Sequence, residues 1–367
     1  MSKALILAHR ILWYDDKWYR LCGYVAPALL ATLGATCVLS WSNNWDVPGQ
    51  SQADWIKPQT PAQVLEEAHA LRDRAAFDPV ALNTLRGRAD VGDPVAQFDL
   101  ASLYDTGLNL SKNFGGDMPT AMHYYYALAQ RGDMTSEYRY GFNLVYGKGV
   151  PADPGQGIPW IVKSANGNYI PAMRTLATIY RSGTGVAANP QISLEWTQKA
   201  ADAGDHLAQA EIGDAFWFGA PPYPKDPAKA VEWFLKAAAD PKQVEARWWL
   251  GVAYHDGTGV QIDQTQAMNW FRQAAELGDV RAAAQLGIGY FEGKPPYTAD
   301  NAQAFKWLKF AANSPKESVA QRDLGLMYFA GRGTPADLNQ AKSWLQQAST
   351  NGDPVARDLL ARMSTLK

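Results

Sequence analysis

Apolar residues recur along most of this chain at three- and four-residue steps. The clearest run is Ala230, Trp233, Phe234, Ala237 and Ala238. That spacing sets them on one face of a helix and predicts an element buried on one side. A second pattern precedes it: a small residue, Leu-Gly, an aromatic residue and a closing Gly. It reads Ala246, Leu250, Gly251, Tyr254, Gly257, and again Ala320, Leu324, Gly325, Tyr328, Gly331. Weaker copies run Ala172, Leu176, Tyr180, Gly183 and Ala208, Ile212, Gly213, Phe216, Gly219. The two patterns alternate and predict pairs of helices. Trp160, Trp196, Trp233, Trp270, Trp307 and Trp344 mark the second helices; the first gap is 36 residues and the others are 37. A fixed period of this size predicts a solenoid.

The polar positions agree with the apolar ones. Asp153, Asn189, Asp226, Asp263, Asp300 and Asp337 each stand seven residues before a ladder tryptophan, and Asp117 stands likewise before Tyr124. A short acceptor there suits a helix N-cap, because it bonds the orphan N–H groups of the first turn. Pro154, Pro190 and Pro227 follow, at the first helical position where a missing N–H costs nothing. Gly213, Gly251, Gly287 and Gly325 share one register inside the first helices, where glycine costs about 1 kcal/mol against Ala. The recurrence predicts close backbone approach between helices. Loops such as Gly183-Thr-Gly-Val and Gly257-Thr-Gly-Val follow the first helix, and Gly-Asp or Gly-Asn turns (Gly132-Asp133, Gly167-Asn168, Gly204-Asp205, Gly278-Asp279, Gly352-Asp353) join one pair to the next.

The segment Ala246 to Gly278 combines Leu-Gly, Gly-x-Gly-Val and Asp-x-x-x-Ala-x-x-Trp, and closely resembles a Sel1-like repeat. That family is an α/α solenoid related to tetratricopeptide repeats. The resemblance covers residues 92 to 363. It implies an all-α, right-handed superhelical solenoid of about seven helix pairs with capping helices. Residues 61–91 read as N-terminal capping helices, 92–367 as the solenoid, and Pro354 to Met363 as its C-terminal capping helix. The first copy carries an insertion from Thr106 to Gly116, and the second has Leu144 in the aromatic register. Pro221-Pro222-Tyr223 and Pro295-Pro296-Tyr297 replace the second loop glycine; they read either as stiffened turns or as projecting ridges.

The N-terminus departs from this pattern. Leu21 to Trp41 carries no charge over 21 residues, and as a helix it spans about 31 Å, enough for a bilayer core. Trp13, Tyr14, Trp18, Tyr19 and Tyr24 lie on one side of it, with Trp41 and Trp45 on the other, as aromatic belts do. Lys3, Arg10, Lys17 and Arg20 precede it and only Lys57 follows closely. The positive-inside rule then expects residues 1–20 in the cytoplasm, 21–41 as a transmembrane helix, and 42–60 as a linker to a solenoid outside the cytoplasm. A cleaved signal peptide competes; the long n-region with Asp15 and Asp16 speaks against it. Lipidation at Cys37 is disfavoured by Thr36 before it. The expected location is a bacterial inner membrane, with the solenoid in the periplasm. Cys22 and Cys37 are the only cysteines, so the solenoid holds no disulfide.

Net charge is −2, which gives no electrostatic footprint for nucleic acid. His9, His69, His123, His206 and His255 form no metal-ligand spacing. No local motif supplies a catalytic pair, and no cofactor, metal or catalytic residue is expected. The resemblance to tetratricopeptide repeats implies that the first helices line a concave face. Its outward positions lie two before the Leu, two after it, and one after the aromatic. They yield a candidate partner-binding set: Tyr138, Arg174, Arg181, Trp217, Trp248, His255, Phe291, Arg322 and Phe329. Arginine and large aromatics dominate binding hot spots, although several of these rings could equally pack between repeats. The expected function is a membrane-anchored scaffold or adaptor with protein or peptide partners in the periplasm or inner membrane. The complex it serves would act in envelope, secretion or exopolysaccharide assembly. The alternative is a hydrolase-like enzyme that binds cell wall or glycan.

Overall fold

The structure is a computed structural model, and it describes residues 61–105 and 117–365. The expected spanning helix (21–41), the segments flanking it and the whole Thr106–Gly116 insertion lie outside the described residues. Within them are seventeen α-helices and no strand, and no helix is long and apolar enough to cross a membrane. The chain divides into two compact units, Met1–Leu128 and Ala129–Lys367.

The first unit holds α1 (Pro61–Ala75), α2 (Pro79–Asp90), α3 (Pro94–Asp105) and most of α4 (Met118–Gln130). Asp99 on α3 is its one deeply buried acid, 1 % exposed, with His69 Nδ1 at 3.7 Å and Arg72 at 3.8 Å. Burial dominates those partners and lifts its carboxyl to about 6.

The second unit continues as α5 (Met134–Tyr146), α6 (Pro154–Asn166), α7 (Ile170–Ser182), α8 (Pro190–Asp202), α9 (His206–Phe218) and α10 (Pro227–Ala237). It ends with α11 (Val244–Asp256), α12 (Gln264–Glu276), α13 (Val280–Glu292), α14 (Asn301–Ala311), α15 (Ser318–Ala330), α16 (Leu338–Thr350) and α17 (Pro354–Thr365). Each first helix packs along its own second helix. The first helices also touch one another, as α9 does α11, α11 does α13 and α13 does α15. One layer of the unit is therefore built of first helices. Each repeat buries its apolar stripe on the next, which is why the pattern needs several copies to be stable.

Capping follows the polar pattern. Asp153, Asn189, Asp226, Asp263, Asp300 and Asp337 each accept from the N–H three residues on, at 2.9 to 3.1 Å. Asp133, Asp205, Asp279 and Asp353 cap the next first helices in the same way. Gly167-Asn168 is the exception. Asn168 itself takes φ 70°, and Tyr169 becomes the N-cap without a side-chain bond. Asn tolerates the left-handed region, so the turn survives but the acceptor is lost.

The tryptophan ladder fills the core only in part: Trp196 and Trp307 are buried. Trp233, Trp270 and Trp344 are half-buried, whereas the next residue is buried in every repeat: Ile161, Thr197, Phe234, Phe271, Leu308 and Leu345. The Leu-Gly register exists for these side chains. A Cβ at Gly213 would come within 2.5 Å of the Phe234 ring, at Gly287 within 2.7 Å of Leu308, and at Gly325 within 2.9 Å of Leu345. At Gly251 it would overlap the ring of Phe271. Where the register reads Ala177, the ladder neighbour is the short Thr197. The second loop glycine serves close approach as well as conformation: Gly259 has φ 79°, and a Cβ there would meet the Pro227 carbonyl at 2.5 Å. The Pro-Pro-Tyr loops turn inward at their tyrosines. Tyr223 packs on Phe216 at 4.6 Å and Tyr297 on Tyr290 at 5.3 Å, so no aromatic ridge projects there.

Candidate binding groove

The layer of first helices carries a cavity of ≈ 430 Å³ shared by α5, α7 and α9. Tyr138, Phe142 and Tyr146 form one wall; their spacing of four puts them in a row on α5. The rings of Tyr138 and Phe142 lie 5.5 Å apart, those of Phe142 and Tyr146 4.6 Å. Lys148 Nζ sits 4.7 Å from the Phe142 ring. Arg174, Thr175, Thr178 and Arg181 of α7 run across the middle, and Asp205, Ala208 and Glu211 bound the far side. Ala177 and Thr197 also line it. In the repeats that follow, glycine and a large ring or leucine interlock at those two positions; here the shorter pair leaves depth.

Polar groups in the cavity are only partly engaged. Thr175 Oγ1 donates to the Tyr138 hydroxyl at 3.2 Å. Arg181 donates to Glu211 at 2.6 Å and is 56 % exposed. Arg174 stands 3.7 Å from Asp205, too long for a hydrogen bond. Burial pushes the Tyr146 phenol up, so it remains a neutral donor and acceptor. The site therefore offers aromatic faces beside two accessible guanidinium groups, the residue types that dominate binding hot spots.

Of the nine residues singled out from sequence, three meet in this cavity: Tyr138, Arg174 and Arg181. The others are placed elsewhere. Trp217 is half-buried and packs on Trp249 at 5.2 Å and Phe234 at 6.1 Å. Trp248 packs on Phe271 at 5.3 Å, and Arg281 covers it at 4.7 Å. Both mid-array tryptophans are half-buried and engaged by neighbouring repeats. His255 is exposed and bonds Asp256 at 2.6 Å. Phe291 is capped by Arg332 at 4.3 Å. Arg322 is held by Asp323 at 2.9 Å and Asp353 at 3.1 Å, a clip between repeats. Phe329 is exposed. Sequence reasoning did not name Phe142 and Tyr146, whose spacing from Tyr138 was a readable signal. It also did not name Asp205 and Glu211, which belong to the next repeat and reach the cavity only by packing. Among the described residues, no group of three or more His, Cys, Asp or Glu could hold a metal ion.

The family model for the Sel1 repeat matches seven times, at 94–133, 135–169, 170–205, 206–240, 244–279, 280–315 and 318–353. The chain belongs to the Sel1 repeat family. Each match takes in one helix pair, from α3 with α4 to α15 with α16. A protective antigen of uropathogenic Escherichia coli with the same fold aligns with TM-score 0.53 and 26 % identity, over 77 % of this chain and 67 % of that one. A Sel1 repeat protein from Oxalobacter formigenes aligns with TM-score 0.51 and 25 % identity, over 86 % and 97 %. Among curated proteins, the chitin synthase regulator SKT5 of Saccharomyces cerevisiae is 28 % identical over 274 residues, 71 % of this chain but 38 % of the regulator. An exopolysaccharide production negative regulator of Rhizobium leguminosarum is 30 % identical over 155 residues, 39 % of this chain and 58 % of that protein. The chain thus spans well under two thirds of either regulator.

Proposed function

We propose that this chain is a protein-interaction scaffold whose first-helix face docks a segment of a partner protein in the cavity between α5, α7 and α9. The observation that carries the reading is the cavity itself: an aromatic wall of Tyr138, Phe142 and Tyr146 facing Arg174 and Arg181. Both curated relatives named above are regulators of polysaccharide production, which supports a role in controlling an assembly rather than performing its chemistry. Residues 21–41 anchor the scaffold in a bacterial inner membrane. The repeats lie in the periplasm, at an envelope, secretion or exopolysaccharide complex. The charge asymmetry around residues 21–41 supports this placement.

A glycan-directed hydrolase is favoured by one observation. Asp214 on α9 is a carboxyl lifted to about 6 by burial and by Glu245 and Glu211. A carboxyl raised in this way beside a second carboxylate is the kind of group a glycosidase uses as proton donor.

The scaffold reading is tested by crosslinking the full chain in its native membranes and identifying the attached protein by mass spectrometry. The experiment is repeated with Arg181→Glu and with Phe142→Ala. Both variants should fold and lose the complex. A complex that survives both moves the docking face elsewhere, and release of sugars from peptidoglycan or chitin by the pure chain supports the hydrolase.

A further inference from the structure

The face that holds the cavity continues across α9 and α11 with a different chemistry. Glu211, Asp214 and Phe218 share one side of α9 at three- and four-residue steps. Phe218 is 64 % exposed and stands edge-on to Trp249 of α11 at 5.4 Å. Trp217 packs on the same indole at 5.2 Å. Two buried polar atoms in this patch have no hydrogen-bond partner: Asp214 Oδ1, an acceptor, and Trp249 Nε1, a donor.

Negative charge is in excess here. Asp214 feels Glu211 and Glu245, and Asp279 and Glu317 follow at the starts of α13 and α15. Two guanidinium groups face these five carboxylates. Arg181 is committed to Glu211 at 2.6 Å. Arg281 is committed to Glu245 at 2.8 Å and Asp279 at 2.6 Å, and it covers Trp248. Asp214 is left with the field of Arg281 and no bond.

Several aromatic rings elsewhere in the unit carry a cation of this chain. Lys163 lies over Trp160 at 4.9 Å, Lys199 over Trp196 at 3.8 Å, Lys236 over Trp233 at 3.9 Å, Lys306 over Trp307 at 4.4 Å and Arg332 over Phe291 at 4.3 Å. Among the described residues, no lysine or arginine lies over the rings of Phe218 or Trp249. The patch thus combines surplus carboxylates with an aromatic pair that no lysine or arginine of the described residues covers.

We infer that this patch is a subsite for a cationic side chain, arginine or lysine, of a partner polypeptide, seated between the Phe218–Trp249 rings and the carboxylates of Asp214 and Glu245. A guanidinium there would pair with the Asp214 carboxylate, whose Oδ1 has no partner in this chain, and gain the ring quadrupole. The partner segment would run on into the cavity at Glu211 and Arg181. The inference rests on the reading of this face as a protein-docking surface.

The test uses the full chain in detergent micelles, with ¹⁵N-labelled tryptophan indoles and the Trp249 signal assigned by Trp249→Phe. Three probes are titrated: the capped peptide Ala-Ala-Arg-Ala-Ala, the same peptide with neutral citrulline for arginine, and a chitin tetrasaccharide. The arginine peptide should move the Trp249 indole signal at concentrations where citrulline leaves it in place. Asp214→Asn, which keeps the shape of the side chain, should weaken that response about tenfold or more, as removal of a desolvated charge partner does. Equal response to arginine and citrulline, no response to any probe, response to the tetrasaccharide alone, or indifference to Asp214→Asn each overturns the subsite. A partner complex lost in Arg181→Glu with no arginine response defeats only the subsite. An arginine response dependent on Asp214, with a complex that survives Arg181→Glu and Phe142→Ala, defeats only the scaffold reading.

Discussion

At the scale of single residues, the period of the chain points one position away from where the packing energy sits. The tryptophans set the ruler, but Phe234 is 0 % exposed and Trp233 is half-buried with Lys236 over its ring. Phe234→Ala should therefore destabilise the second unit by about 3–5 kcal/mol, the usual cost of deleting a buried ring. Trp233→Ala should cost clearly less. Urea titration followed by circular dichroism checks the order, and a larger loss for Trp233 would reverse it. Asp214 carries a prediction with a sign. Its carboxyl titrates at about 6 in the fold against 3.8 ordinarily, because burial and then Glu245 and Glu211 disfavour the charge. The folded state therefore binds more protons than the unfolded chain between those values, and stability falls as pH rises through that window. Asp214→Asn removes this loss. It should stabilise the protein by about 1–2 kcal/mol at pH 7, after discounting for solvent, with no gain below pH 3.8. Unfolding midpoints at several pH values check it; a gain that persists in acid would assign the effect to packing instead.

At the scale of helices, capping and glycine register account for where each element stops and how near it lies to its mate. Asp263 accepts from Gln266 N at 2.9 Å at the start of α12. Asp263→Ala should cost about 1 kcal/mol, the typical loss of an N-cap. Gly251→Ala pits two effects against each other. Helix propensity favours alanine by about 1 kcal/mol. The new methyl would overlap the ring of Phe271, which α12 holds in place, and overpacking of this kind costs about 1–3 kcal/mol. Steric overlap should win, and the variant should unfold at lower urea. Gly251→Ala combined with Phe271→Leu should recover part of the loss, because a smaller side chain opens the contact. A stabilised single variant would show that the two helices are not in close contact there.

Above the single helix, the helix pairs of the second unit turn a 37-residue period into a layer of first helices, and the cavity forms where that layer departs from the repeat consensus. Membrane placement is tested by fusing alkaline phosphatase after residue 60 in bacterial cells. An active fusion is expected. An inactive fusion, with an active cytoplasmic reporter at the same point, would reverse the orientation.

Local physics wrote much of this protein into its sequence. Period-3.6 stripes, acceptors at helix starts, and glycines at helix ends each act within a few residues, so all-helical pairs and their junctions were legible without coordinates. The resemblance to tetratricopeptide repeats, applied register by register, also placed Tyr138, Arg174 and Arg181 on one face. What the sequence could not specify is which outward residues remain available. Trp217 and Trp248 share the same registers, yet Trp249, Phe271 and Arg281 from adjoining elements cover them. The unsatisfied carboxyl of Asp214 and the cavity wall at Asp205 and Glu211 likewise arise from helices stacking about one repeat apart in the chain. Those contacts are long-range, and only the packed structure decides them.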